Sequence, residues 1–147
     1  MSDHSSVDVL IEHARLRLDV DACRRIIEYV AASEKATIGS ITVILADHQT
    51  VRDLNRQYLR HDFDTDVLSF DYREDPHEDL DGEIFIDLDT ARERHEEFGA
   101  DFEEEAFRYV IHGLLHLIGY SDDNPEQTMK MRVVEDRYLA ETKHAWA

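Results

Sequence analysis

The sequence predicts an α+β fold, in which a small mixed sheet of about four strands is covered by helices and a helix with two histidines is central. Strand-like and helical patterns alternate through the first part of the chain, and three helical patterns follow one another at the end. The 147 residues and the 42% hydrophobic content suit one core, so residues 1–147 are predicted to form a single domain. We expect the helices to cover one face of the sheet.

Two strands and a helix are predicted in the first third of the chain. Apolar residues alternate with polar ones over 7–11, which predicts a short edge strand. Over 19–35 apolar residues recur at spacings of three and four, so a helix follows, and an aspartate at its start can cap it. Gly39 is expected to break the chain, and the run 40–46, which is rich in Ile and Val, is the clearest strand.

The middle of the chain is predicted to contain two helices and two strands. Asp47 is placed to cap a helix that ends at about Tyr58. The apolar stretches 66–72 and 82–88 predict strands, and the acidic segment 73–81 between them predicts an exposed loop. A charged helix follows the second of these strands.

Two longer helices are predicted to complete the chain. Asp101 is expected to cap a helix that carries two histidines and ends at Gly119. Pro125 stands where the first residue of the last helix would lie, because that position needs no backbone N–H. This helix is predicted to run to about Lys143. Its buried stripe is predicted to contain Met129, Val133 and Leu139.

A candidate metal site lies in the histidine-bearing helix. His112 and His116 are four residues apart in an apolar run, so they project from the same helix face. At Gly119 a left-handed residue would end the helix and reverse the chain, which brings Asp122 within reach as a third ligand. Three protein ligands leave one coordination position open, as in catalytic metal sites. The alternative is a buried helix end with two hydrogen-bonded histidines.

The spacing His-x-x-x-His-x-x-Gly-x-x-Asp is close to that of the metzincin proteases, which have histidine in the last place. Gly113 stands where metalloproteases carry the glutamate that acts as general base. A metalloprotease is therefore an alternative function, with the missing glutamate against it. Two histidines and a carboxylate are also the ligand set of non-haem iron enzymes, but two histidines spaced along a helix favour zinc.

The formal net charge of −18 at pH 7 is the most unusual global property of the chain. A surface this acidic repels phosphate backbones at low ionic strength, which counts against ordinary electrostatic binding of nucleic acid. The basic residues are mostly arginines, with lysine only at Lys35, Lys130 and Lys143. An acid-rich, lysine-poor surface suggests adaptation to a salty cytosol, where such repulsion is screened.

The chain contains no run of eighteen apolar residues, so no membrane span is expected. Its N-terminus lacks a basic segment followed by an apolar one, so no signal peptide is expected. Cys23 is the single cysteine, which makes an intramolecular disulfide impossible, and we expect it to pack inside a helix. These properties predict a cytoplasmic location.

Three ordered stretches share a pattern with one known family. They are 54–70, which contains Thr-Asp-Val-Leu-Ser-Phe, then 82–87, and then 112–120, which reads His-Gly-Leu-Leu-His-Leu-Ile-Gly-Tyr. Together they resemble the YbeY family of bacterial metal-dependent endoribonucleases. The matches span roughly half of the chain, which is too extended for one chance motif.

This resemblance implies an α+β fold with one Zn²⁺ ion held by His112, His116 and Asp122. It implies cleavage of single-stranded RNA in ribosomal RNA maturation and ribosome quality control. The implied partners are ribosomal RNA, ribosomal particles, and ribosomal or GTPase proteins. A zinc ion at this site would lower the pKa of its bound water toward about 7, so that hydroxide can attack the phosphodiester.

Two positions depart from the family pattern. The third metal-binding histidine falls on Asp122, which is still able to bind zinc. The family's active-site arginine falls on Leu59, with Arg60 and His61 next to it. Arg60 is the candidate catalytic residue that would replace this arginine; the alternative is an arginine that faces solvent. A non-catalytic ribosome-assembly factor with a structural metal is a further alternative function.

Overall fold

A four-stranded sheet forms the frame of the fold. The computed structural model describes residues 5–58, 66–98 and 101–147. The strands are β1 (Ser6–Ile11), β2 (Ile38–Ala46), β3 (Val67–Asp71) and β4 (Leu80–Asp87). Their order across the sheet is β1-β2-β4-β3; β1, β2 and β4 are parallel, and β3 is antiparallel to β4. The prediction of a small mixed sheet with the first strand at an edge is confirmed.

Helices connect the strands and cover the sheet. Within the described ranges they are α1 (Val20–Ser33), α2 (His48–Tyr58), α3 (Leu88–Phe98), α4 (Phe102–Ile118) and α5 (Pro125–Trp146). The side chains of Asp19 and Asp101 accept hydrogen bonds from backbone N–H groups in the first turns of α1 and α4, so the caps predicted there are confirmed. None of these helices is long and apolar enough to cross a membrane.

The second strand begins earlier than its sequence predicts. Gly39 lies inside β2, next to an irregularity in the register with β4 between Ile38 and Ser40. A Cβ atom at position 39 would lie 3.1 Å from the carbonyl oxygen of Leu80. Glycine therefore permits the two backbones to approach at a bulge without ending the strand, and the predicted break is wrong.

Helices pack on both faces of the sheet. The larger core lies on the face toward α1, α4 and α5, where Ile41, Val43 and Ile84 are fully buried. On the opposite face, Val51 of α2 packs in a smaller cluster with Ile44 of β2. The expectation that helices cover one face alone is therefore wrong. An unbroken apolar run in a parallel strand is typical of burial on both sides.

The last helix turns a different face to the core than its apolar residues predict. Met129 and Val133 are 71% and 63% exposed, so their predicted burial is wrong, whereas Leu139 is buried as predicted. The buried residues of α5 are Met131, Glu135, Tyr138, Leu139 and Thr142. Two of them are polar and have hydrogen-bond partners inside the protein, so a reading of apolar periodicity alone selects the wrong face.

Candidate metal centre

The C-terminal half of α4 positions the two histidines. They are one helical turn apart, with ring centroids separated by 4.6 Å and ring planes inclined by 80°. The helix buries Ile111, Leu114 and Leu115 around them, while His112 and His116 remain partly exposed. The apolar residues therefore anchor the helix on the sheet, and the imidazoles face the surface.

A tight turn at Gly119 brings the third side chain back to the helix. Gly119 has φ of +131°, and its N–H donates to the carbonyl of His116, while the N–H of Tyr120 donates to that of Leu115. A Cβ atom at Gly119 would meet nothing within 4 Å, so the backbone conformation, and not space, favours glycine here. The predicted reversal of the chain is confirmed, and Asp122 follows it.

His112, His116 and Asp122 form a compact triangle of ligand atoms, as the sequence predicts. The Nε2 atoms of the histidines are 3.0 Å apart, and Oδ2 of Asp122 lies 3.5 Å from Nε2 of His112 and 3.4 Å from Nε2 of His116. Two ligands about 2.0–2.1 Å from a tetrahedral zinc ion lie roughly 3.3–3.4 Å from each other. The triangle therefore has the size that one metal ion requires, and these three residues are able to hold one.

The other nitrogen of each imidazole faces an oxygen acceptor. Nδ1 of His112 lies 2.6 Å from Oε2 of Glu135, and Nδ1 of His116 lies 3.1 Å from the carbonyl oxygen of Tyr120. An acceptor at Nδ1 places the proton there and leaves the lone pair on Nε2. Two lone pairs and a carboxylate oxygen that converge in this way repel one another unless a cation lies between them. The donor set therefore fits a metal ion.

Glu135 is a member of the site that sequence reasoning missed. Its side chain is almost fully buried, and its Oε1 accepts a hydrogen bond of 3.2 Å from Nη1 of Arg108. Arg108 in turn donates to Asp136 at 2.7 Å. The sequence does contain one sign of it: Glu135 is four residues from both Met131 and Leu139, so it shares their buried helix face. A charged residue on a buried face needs a partner.

The close packing around position 113 explains why glycine, and not glutamate, follows the first histidine. A Cβ atom at this position would lie 2.4 Å from Cγ2 of Ile84 and 3.0 Å from Cγ1 of Val67. The carbonyl of Gly113 also accepts a hydrogen bond of 2.8 Å from Ser69. Because α4 lies this close to the sheet, a glutamate side chain would collide with β3 and β4. The position faces the core and not the metal ligands.

A cavity of about 200 Å³ adjoins the triad and is lined in part by His112 and Asp122. Asp66 lies in its wall, and burial raises the pKa of this carboxyl by disfavouring the charged form. Tyr109 is 5% exposed and also lines the cavity. Burial raises the pKa of its hydroxyl, and the nearby guanidinium of Arg94 opposes this shift. The cavity therefore offers polar groups beside the ligand atoms.

The predicted catalytic residue Arg60 lies outside the described residues, as do Leu59 and His61. A catalytic role for Arg60 stays a prediction. Of the sequence-predicted site residues, the structure brings together His112, His116 and Asp122.

Known proteins resemble this chain over most of its length. A sequence model of the family described as Endoribonuclease YbeY matches residues 8–143. A Salinibacter ruber protein named Endoribonuclease YbeY is 49% identical over 135 residues, which cover 87% of this chain and 86% of that protein. A Bacteroides thetaiotaomicron protein of the same name is 41% identical over 114 residues, which cover 78% and 82% of the two chains.

A solved structure has a similar fold. The solution structure of TM1509 from Thermotoga maritima matches with a TM-score of 0.60 and 28% sequence identity. The match covers 95% of this chain and 93% of that one. The likeness therefore extends over most of the fold.

Proposed function

The chain belongs to the Endoribonuclease YbeY family, and on that premise we propose that its 147 residues form one endoribonuclease domain that hydrolyses phosphodiester bonds in single-stranded RNA. The substrate is ribosomal RNA, and the reaction serves ribosomal RNA maturation and ribosome quality control. The protein acts in the cytoplasm, where it meets ribosomal particles and ribosomal or GTPase proteins. Support comes from the names of its relatives and from the convergence of three ligand atoms on one point.

The donor set supports a single zinc ion as cofactor. His112, His116 and Asp122 present two imidazole nitrogens and a carboxylate oxygen, which zinc accepts at the separations found here. A zinc ion held by them would supply Lewis acidity for phosphodiester hydrolysis. Three protein ligands are the number typical of catalytic zinc sites, whereas structural sites use four.

The residues around the triad orient its side chains for metal binding. Glu135 and the carbonyl of Tyr120 fix the tautomer in which each histidine presents Nε2 to the site. Arg108 donates to Glu135 and so orients the carboxylate that faces His112. Because Glu135 and Arg108 lie on two helices that pack against each other, we expect little reorganisation when an ion binds.

Gly113 weakens the case for a protease. A metalloprotease of the spacing seen here uses a glutamate directly after the first histidine as its general base. Position 113 packs against Ile84 and has no room for that side chain. Hydrolysis of RNA needs no residue at this position if the metal ion supplies the activation.

Replacing His116 tests the proposal. We expect His116→Ala to lose both bound metal and cleavage of single-stranded RNA, whereas the control His144→Ala, an exposed histidine near the end of α5, keeps both. Metal is quantified by mass spectrometry of the purified protein, and cleavage is followed on single-stranded RNA, double-stranded RNA and a peptide library in parallel.

Three results would contradict the proposal. Undiminished RNA cleavage by His116→Ala would remove the triad from the reaction. Cleavage of peptides in place of RNA would favour the protease. A metal-loaded protein that associates with ribosomal particles, cuts no RNA and melts earlier after chelation would make the metal structural.

A further inference from the structure

The cavity beside the triad has one wall made by α5. Four side chains of this helix line it, at positions that share one helical face: Thr128, Met131, Arg132 and Glu135. Arg132 lies one turn before Glu135, which holds His112. An exposed guanidinium is thus placed in the wall of the cavity that also contains two of the three ligand residues.

In the described part of the chain, Arg132 differs from the other arginines of the cavity because it has no carboxylate partner. Arg108 donates to Glu135 and Asp136, and Arg94 lies 3.4 Å from a carboxylate oxygen of Glu105. Among the residues that the structure describes, none forms a hydrogen bond or an ion pair with the Arg132 guanidinium. Its charge is therefore available to an anionic ligand.

The position of the cavity also favours a ligand that approaches the metal centre. His112 and Asp122, two of the three ligand residues, line it together with Arg132. A ligand in this cavity would therefore lie close both to the triad and to Arg132.

We propose that this cavity binds the RNA backbone beside the scissile bond and that Arg132 contacts a phosphate oxygen there. The inference rests on the proposed function. Arginine suits this contact because its planar fork matches phosphate geometry. Although the chain has a net charge of −18, the described residues that line the cavity are four carboxylates and three arginines, which leaves one excess negative charge. A divalent metal ion at the triad would make the local sum positive. Arg132 is thus a positioning residue for the substrate.

Binding of a nuclease-resistant oligonucleotide tests Arg132 separately from cleavage. The probe is a single-stranded 2′-O-methyl phosphorothioate RNA, titrated by fluorescence anisotropy against zinc-loaded protein at several salt concentrations. We expect Arg132→Gln to weaken binding by about tenfold at low salt. The slope of log K against log[salt] should fall in magnitude by about 0.7, the loss of one phosphate contact to a single strand.

Two further variants define the contact. Arg132→Lys should keep the salt slope and recover part of the affinity, because the charge remains while the fork is lost. Arg25→Gln is the matched control, since Arg25 is exposed on α1 and likewise has no partner in the described ranges. It should leave affinity and slope unchanged. The metal content and melting temperature of Arg132→Gln should equal those of the unmodified protein.

Three results would overturn the inference: no binding of the probe by the unmodified protein, wild-type affinity and slope in Arg132→Gln, or an equal loss in Arg25→Gln. Cleavage assays separate this inference from the nuclease proposal. A protein that binds the probe through Arg132 but cuts no RNA would refute the nuclease and leave the cavity assignment intact. A protein that cuts RNA equally well with and without Arg132 would refute the assignment alone.

Discussion

Glu135 gives the sharpest test of how the metal centre is built. The residue is 4% exposed, and its carboxylate lies 2.6 Å from Nδ1 of His112 and accepts a hydrogen bond from Arg108. Glu135→Gln keeps the volume of the side chain but removes the charge that holds the proton on Nδ1 and makes Nε2 a stronger ligand. Loss of such a partner typically weakens metal binding by about 10- to 100-fold. This corresponds to roughly 1.4–2.8 kcal/mol.

Competition with a chromophoric zinc chelator measures the effect. Asp136→Asn is the matched control, because Asp136 shares Arg108 with Glu135 but does not contact His112. We expect this control to bind zinc as the unmodified protein does. Wild-type zinc affinity in Glu135→Gln would refute the reasoning, and so would an equal loss in Asp136→Asn, since the effect would then pass through Arg108.

Four further predictions follow from burial, packing and charge. Gly113→Ala should lower the free energy of unfolding by about 1–3 kcal/mol in urea titrations, because the added Cβ would lie 2.4 Å from Ile84. Leu139→Ala should lower the free energy of unfolding by about 2–5 kcal/mol in the same assay, whereas Met129→Ala should change it by less than about 0.5 kcal/mol. Equal effects would mean that α5 turns a different face to the core. Cys23 should resist a thiol reagent at pH 8 until the protein unfolds, because burial raises its pKa to about 12 and keeps it neutral. The free energy of unfolding should rise with KCl concentration as salt screens the charge of −18, and a flat response would count against adaptation to a salty cytosol.

Much of the fold follows from local patterns. Periodicity and turn residues predict the strands, the helices and three caps, because hydrogen bonding at Asp19, Asp47 and Asp101 depends on neighbours within a few residues. The errors occur where distant residues decide. Gly39 stays in a strand because of Leu80, which is far away in the chain. Met129 and Val133 face solvent because α5 turns toward the core the face that carries Glu135, which contacts His112 and Arg108 of α4.

The candidate site divides in the same way. The spacing of His112 and His116 and the turn at Gly119 are local, so the sequence is enough to predict that Asp122 returns to the helix. The support from Glu135 comes from a different helix, α5, which is distant in the chain. No pattern in the sequence specifies which carboxylate of an acidic chain will face an imidazole.

The amino-acid sequence by itself determined the family, the mixed α+β architecture and the three convergent metal-ligand candidates, since each depends on short-range spacing. Only the tertiary structure decided which nitrogen of each histidine faces the site, why residue 113 has no side chain, and which arginine of the adjoining cavity has no partner among the described residues. These properties arise from packing between elements, where burial and long-range hydrogen bonds select one arrangement from many that the local sequence permits.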